Sequence, residues 1–200
     1  MNKLLAEFLG TFFFCAVALL SASPLAAAGA LAGLGYALGY VSGGHFNPAV
    51  SLAVWMRGKM DGGEMLRYAG AQLGGALGAW ALYQLLSKPE LVVQAMPVPY
   101  FRAFLGEICF TFLAAFTYLH VRTARQQLGN GYFGAAQGLV HYAGTSAIGQ
   151  ISGGACNPAL GLALVLVGRV PGSLLLVYII GGAIAGAGAA IGYRLLNPND

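Results

Sequence analysis

The chain has 200 residues, of which 58% are hydrophobic and 8% are Asp, Glu, Lys or Arg, with a formal net charge of +4. An ordinary soluble domain is about a quarter charged, so this composition excludes a water-exposed globule and places the chain in a bilayer. The basic residues are scattered and not interleaved with aromatics, which excludes a nucleic-acid surface. A mean hydropathy of +0.72 and 31 glycines suit helices that pack closely in lipid.

A spanning helix needs about 17–25 apolar residues. The first candidate is 4–21. Lys3 before it and Ser21-Ala22-Ser23 after it resemble a cleavable leader, but Glu7 interrupts the apolar run and a second one, 25–42, follows at once. The segment is therefore expected to be a retained first span. Further spans are predicted at 64–87, 101–121, 131–150 and 171–195. Polar or turn-rich pieces separate them, among them Arg57 to Gly63, Ser87 to Pro99 and Arg122 to Asn130. Two apolar segments, 47–57 and 157–167, are too short to cross. Each opens on Asn-Pro, a favoured helix N-cap followed by the residue favoured at the first helical position. Each is expected to be a half-helix dipping into the membrane, and irregular backbone at that depth is tolerated only where protein or a water-filled cavity surrounds it.

The two half-helices share a setting. Ser42-Gly43-Gly44-His45-Phe46 precedes Asn47-Pro48-Ala49, and Ser152-Gly153-Gly154-Ala155-Cys156 precedes Asn157-Pro158-Ala159. Ala6-Glu7-Phe8-Leu9-Gly10-Thr11-Phe12 likewise resembles Gly106-Glu107-Ile108-Cys109-Phe110-Thr111-Phe112. The expected fold is all-α: six transmembrane helices plus two re-entrant half-helices, in one channel domain of two halves, about 1–95 and 96–200. Three spans per half make the second half enter with opposite orientation, an inverted repeat with its site at the midplane. Lys3, Arg57, Lys59, Arg67, Arg122, Arg125 and Arg194 fall on one side; Lys88, Arg102 and Arg169 fall on the other. The positive-inside rule then makes both termini cytoplasmic.

Two half-helix N-termini are thus expected to meet near the centre. Each carries roughly half a positive charge and unpaired N–H groups. A cation would be repelled there, and a neutral solute would not. Asn47 and Asn157 can donate to a passing oxygen, and carbonyls of 42–46 and 152–156 can accept. These features suit a pore for small uncharged hydrogen-bonding molecules.

The doubled Asn-Pro-Ala in inverted halves, the longer first motif Ser42-Gly43-Gly44-His45-Phe46-Asn47-Pro48-Ala49-Val50 and the two helix-embedded glutamates resemble the aquaporin and aquaglyceroporin family, the major intrinsic proteins. The resemblance covers essentially the whole chain. It implies a passive channel for water and small neutral solutes, a pore in each protomer, a homotetramer, a cell (plasma or bacterial inner) membrane, and no cofactor. It implies for Glu7 and Glu107 that they accept hydrogen bonds from the re-entrant backbone. His45 is expected to tie down the same segment, in preference to gating it.

The chain departs from the family three residues after the second Asn, where most members have an arginine pointing into the outer constriction and this one has Leu160. Counting back without gaps places the other constriction positions at Ala27, Thr145 and Gly154. Water-selective relatives put an aromatic and a histidine at the first two. The expected mouth is wide and free of arginine, so glycerol, urea, hydrogen peroxide and undissociated metalloid acids join water as expected solutes. Gly161 stands where glycerol channels of the family often carry aspartate, so that subgroup is not matched either. The alternative is a structural or adhesive membrane protein of the same fold with little flux. A membrane enzyme lacks a nucleophile–base pair, and no histidines have metal-ligand spacing.

Other residues have plainer readings. Cys15 and Cys109 read as packing residues. Cys156, next to the second motif, is a candidate for facing the pore and for block by thiol reagents. His120 reads as interfacial. His141 could line the pore or pack against a neighbour. Glycine stripes at 70, 74, 75 and 78, and at 181, 182, 186 and 188, are expected to let the two halves approach.

Overall fold

The structure, a computed structural model, describes residues 1–87 and 99–200. Lys88 and the 95/96 division between halves lie outside the described residues. The helices are α1 (Asn2–Ser21), α2 (Pro24–Ser42), α3 (Pro48–Met56), α4 (Gly62–Leu86), α5 (Tyr100–Thr123), α6 (Phe133–Ser152), α7 (Pro158–Leu166) and α8 (Leu174–Leu196), with a short 3₁₀ turn at Arg125–Gln127. They match the predicted spans and half-helices to within about three residues at each end.

Local chemistry sets the boundaries. Ser23 caps α2, with Pro24 as its first residue. Asp61 caps α4 by accepting from the Glu64 N–H at 2.8 Å. α2 and α6 both end at a glycine with positive φ, Gly43 at 95° and Gly153 at 80°. The chain then turns inward toward Asn47 and Asn157.

α1, α2, α5 and α8 are long and apolar enough to cross a membrane. α4 and α6 are 25 and 20 residues long but more polar. Their polar side chains Gln72, Gln137 and His141 are buried inside the protein and do not face lipid. The outward surface carries Phe101, Leu139, Leu176 and Ile191 fully or largely exposed, as a lipid-facing belt requires.

Helices pair within and between halves. α1 packs on α4 and α2, α5 on α8 and α6, and α2 meets α6 across the middle. Each half-helix also touches the other half, α3 on α8 and α7 on α4. One buried apolar cluster includes Phe14, Leu19, Leu160, Leu164 and Tyr178 around α7. A second includes Val50, Val54, Tyr118, Leu119 and Tyr193 around α3.

The glycine stripes do not act as expected. A Cβ on Gly75 would stand 2.5 Å from the Phe8 carbonyl, and Gly74 and Gly78 face Phe8 and Phe12. These glycines close α4 onto α1 of the same half. In α8 the stripe splits. Gly181 and Gly188 face α5, whereas Gly182 and Gly186 admit the half-helices: a Cβ on Gly186 would stand 2.5 Å from the Ala49 carbonyl. Only this second set brings the halves together.

Candidate functional site

The site begins with the two asparagines. Asn47 and Asn157 have extended backbone, φ −155° and −165°, and each side-chain Oδ1 accepts from the N–H two residues on, Ala49 and Ala159, at 2.9 Å. That leaves each amide nitrogen free to donate. Asn47 Nδ2 donates to the Cys156 carbonyl at 3.0 Å, and Asn157 Nδ2 donates to the Phe46 carbonyl at 2.8 Å. Each half-helix start is thus tied to the loop of the opposite half. Phe46 and Cys156 adopt φ 47° and 48°. Left-handed backbone at a non-glycine residue costs on the order of 1–3 kcal/mol and persists where surrounding contacts over-determine it.

The glutamates supply those contacts. Glu7 is buried in α1 and accepts from Ser42 Oγ at 2.6 Å, His45 N at 3.0 Å and Phe46 N at 2.8 Å. Glu107 in α5 accepts from Ser152 Oγ at 2.6 Å, Ala155 N at 3.0 Å and Cys156 N at 2.8 Å. The two sets correspond bond for bond. Glu7 takes one more donor, Gln72 Nε2 at 2.7 Å. His45 Nδ1 lies 3.0 Å from Ser51 Oγ, and its ring sits between Tyr68 and Tyr118 with centroids 5.1 and 5.0 Å away. It is pinned to α3 and its loop.

Two cavities meet at His141, which borders both. Ala27, Thr145, Gly154 and Leu160 all border the larger, of about 670 Å³. The smaller, about 20 Å³, is bordered by Asn47, Asn157, Val50 and Gln137 among others. A water molecule needs about 10–15 Å³ of such space, so the centre holds one molecule at a time. Pro48, Ala49, Pro158 and Ala159 build the half-helix starts behind the asparagines, with Pro158 packed on Gly182 and Ala49 on Gly186.

The walls of the larger cavity are tightly set. Thr145 Oγ1 donates to the Gly154 carbonyl at 2.9 Å. Gly154 has φ 62°, and a Cβ there would lie 2.9 Å from Thr145 Cα, so only glycine fits. Leu160 is buried and presents an aliphatic side chain to the cavity.

Three residues differ from, or add to, the sequence reading. Cys156 borders the smaller cavity, and its Sγ packs against α6, 2.8 Å from where a Cβ on Gly144 would stand. Its carbonyl accepts from Asn47 Nδ2 at the centre. Arg169 borders the larger cavity and donates to the Ala18 carbonyl at 3.2 Å and to the Leu19 carbonyl, with its guanidinium 5.8 Å from the Tyr83 ring. Those carbonyls belong to the last turn of α1, which has no helical N–H to pair with them and carries partial negative charge. Sequence position alone counted Arg169 only as a charge on one side. His141 borders both cavities. Its i, i+4 spacing to Thr145 was the available signal, since such pairs share a helix face.

The arrangement holds a narrow polar centre between two opposed helix N-termini, reached through a wide, mostly apolar cavity. Comparisons with known proteins bear on the family and the fold. Residues 1–140 match the family model described as Major intrinsic protein. The chain is 30% identical to Aquaporin AqpM of Methanothermobacter marburgensis over 174 residues, 80% of this chain and 70% of the relative. It is 31% identical to Glycerol uptake facilitator protein-like 6 of Lactiplantibacillus plantarum, over all of both chains. In three dimensions it is similar to the aquaglyceroporin from Plasmodium falciparum, with a TM-score of 0.78 at 21% identity over 98% of this chain and 97% of that one.

Proposed function

This chain belongs to the major intrinsic protein family, and we propose that, as a passive transmembrane channel for water and small solutes, it admits them through a wide mouth whose four constriction positions, Ala27, Thr145, Gly154 and Leu160, carry no arginine. It is a channel, not an enzyme. The observation that carries the mouth is that these four residues border one cavity of about 670 Å³. Leu160 gives that cavity an aliphatic wall where the family usually has a cation.

The solutes that fit are water and compact neutral molecules: glycerol, urea, hydrogen peroxide and undissociated metalloid acids. A glycerol uptake facilitator-like relative over the full length supports this choice. Cation exclusion rests on the two half-helix N-termini, and Arg169 adds a positive group beside the mouth. Asn47, Asn157, Pro48, Pro158, Ala49 and Ala159 form the central station, while Glu7, Glu107 and His45 hold its loops in place. The halves, about 1–95 and 96–200, are inverted repeats, with both termini cytoplasmic in a plasma or bacterial inner membrane. The assembly is a homotetramer, by family resemblance.

Stopped-flow light scattering of proteoliposomes tests the reading. Osmotic shrinkage faster than empty vesicles, followed by reswelling in glycerol or urea, is expected. Shrinkage at the empty-vesicle rate would overturn it and leave a structural or adhesive role for the fold.

A further inference from the structure

We infer that His141, not the wide mouth, is the residue that decides which solutes pass. The inference rests on the channel reading above and moves the point of selection one helical turn inward from Thr145. Of the residues bordering the two cavities, His141 is the one common to both. A solute leaving the 670 Å³ cavity for the 20 Å³ centre therefore passes this imidazole. Segments in series are governed by the tightest, and pore width and lining groups set what that segment accepts.

The ring is held, so it acts as a wall and not as a loose flap. Its Nε2 lies 3.3 Å from Thr145 Oγ1. That hydroxyl has one proton and gives it to the Gly154 carbonyl at 2.9 Å. Nε2 of the neutral ring must then carry the hydrogen and donate to Thr145. Nδ1 is left as an acceptor, with no partner among the described residues. Phe14 meets the ring edge-on, its centroid 4.9 Å away. The helix beneath cannot retreat: a Cβ on Gly138 would stand 2.6 Å from the Ala28 carbonyl.

The order of groups along the path follows. The imidazole of His141 comes first, then donors at Asn157 and Asn47. A compact molecule with both donor and acceptor atoms exchanges partners without losing hydrogen bonds. A bulkier polyol must shed its hydration at a neck that admits little more than one water.

The test uses the full chain in proteoliposomes, with water and glycerol permeabilities measured on wild type, His141→Ala, His141→Asn and His141→Phe. Removing the ring in His141→Ala is expected to raise the glycerol-to-water ratio about fivefold, with His141→Asn between it and wild type. His141→Phe is expected to lower both permeabilities about tenfold by closing the neck. A wild-type ratio in His141→Ala, or wild-type flux in His141→Phe, would overturn the inference. If those two variants fail to fold, as judged by circular dichroism and melting in detergent, His141→Asn decides, and a wild-type ratio there counts against it. Wild type conducting no faster than empty vesicles would instead overturn the channel reading, so the two failures are distinct.

Discussion

Asn157 donates its side-chain amide to the backbone carbonyl of Phe46 at 2.8 Å, across 111 residues of sequence. Asn47 returns the arrangement by donating to Cys156. Each asparagine therefore does two jobs with one amide: its oxygen caps its own half-helix, and its nitrogen holds the other half's loop. The second proton of each Nδ2 remains for a passing solute.

Asn157→Ala should remove both jobs. Loss of the cap costs about 0.5–2 kcal/mol, and the orphaned buried carbonyl about 1–3 kcal/mol more. A clear drop in melting temperature and in water permeability is expected. Asn157→Asp keeps the capping oxygen and loses the donor, so it should recover part of the stability and little of the flux. Equal melting of Asn157→Ala and wild type would refute the double role.

Glu107 carries the second loop on three acceptor contacts, to Ser152, Ala155 and Cys156. Glu107→Ala leaves two buried backbone N–H groups and a hydroxyl without that acceptor, at about 1–3 kcal/mol each. Poor membrane expression or a strongly lowered melting temperature is expected. Glu107→Gln keeps one oxygen and should fall between. A Glu107→Ala protein as stable as wild type would show that the loop holds itself.

Leu160→Arg should narrow the mouth. The long side chain enters the cavity that Leu160 borders and adds donors and a fixed charge. Glycerol reswelling should slow about fivefold or more while water flux stays within about twofold. Equal loss of both, or no change, would mean that position 160 does not face the route.

Asp200 offers a pH test outside the membrane. Its carboxylate accepts from the Tyr193 hydroxyl at 2.6 Å and from the Arg125 N–H at 3.0 Å, and it pairs with Arg57 at 3.2 Å. The Tyr193 hydrogen bond first, then the Arg125 N–H and Arg57, lower its pKa from the ordinary 3.8 to about 2. A group held low in the folded state adds stability above its unfolded value and loses it as pH falls through the folded value. Wild-type melting should therefore drop more steeply than that of Asp200→Asn as pH falls from about 4 toward about 2. Parallel curves for the two proteins would show that the cluster contributes nothing.

Much of the architecture is legible in the sequence. The expected half-helices at 47–57 and 157–167 correspond to α3, Pro48–Met56, and α7, Pro158–Leu166. Asn-Pro announces a helix start through local chemistry, so no distant contact is needed to see it. Glu7 and Glu107 were legible because a carboxylate inside an apolar span requires donors, and the loops offer them. The glycine stripes were legible as close-packing surfaces but not in their partners. A small residue permits approach from any helix, and only the assembled bundle selects α1 for Gly75 or α3 for Gly186.

By itself the sequence determined the membrane setting, the helices and half-helices, the repeated motif and its opposed starts, and the family resemblance. Those properties come from hydropathy, capping and proline geometry acting between near neighbours. The tertiary structure decided which side chains border the path. It packed the Cys156 sulfur against α6, brought Arg169 to the end of α1 and set His141 between the two cavities. A cavity is the space left between packed elements, so its lining depends on how α6 and α7 are rotated against their neighbours. No stretch of sequence carries that rotation on its own.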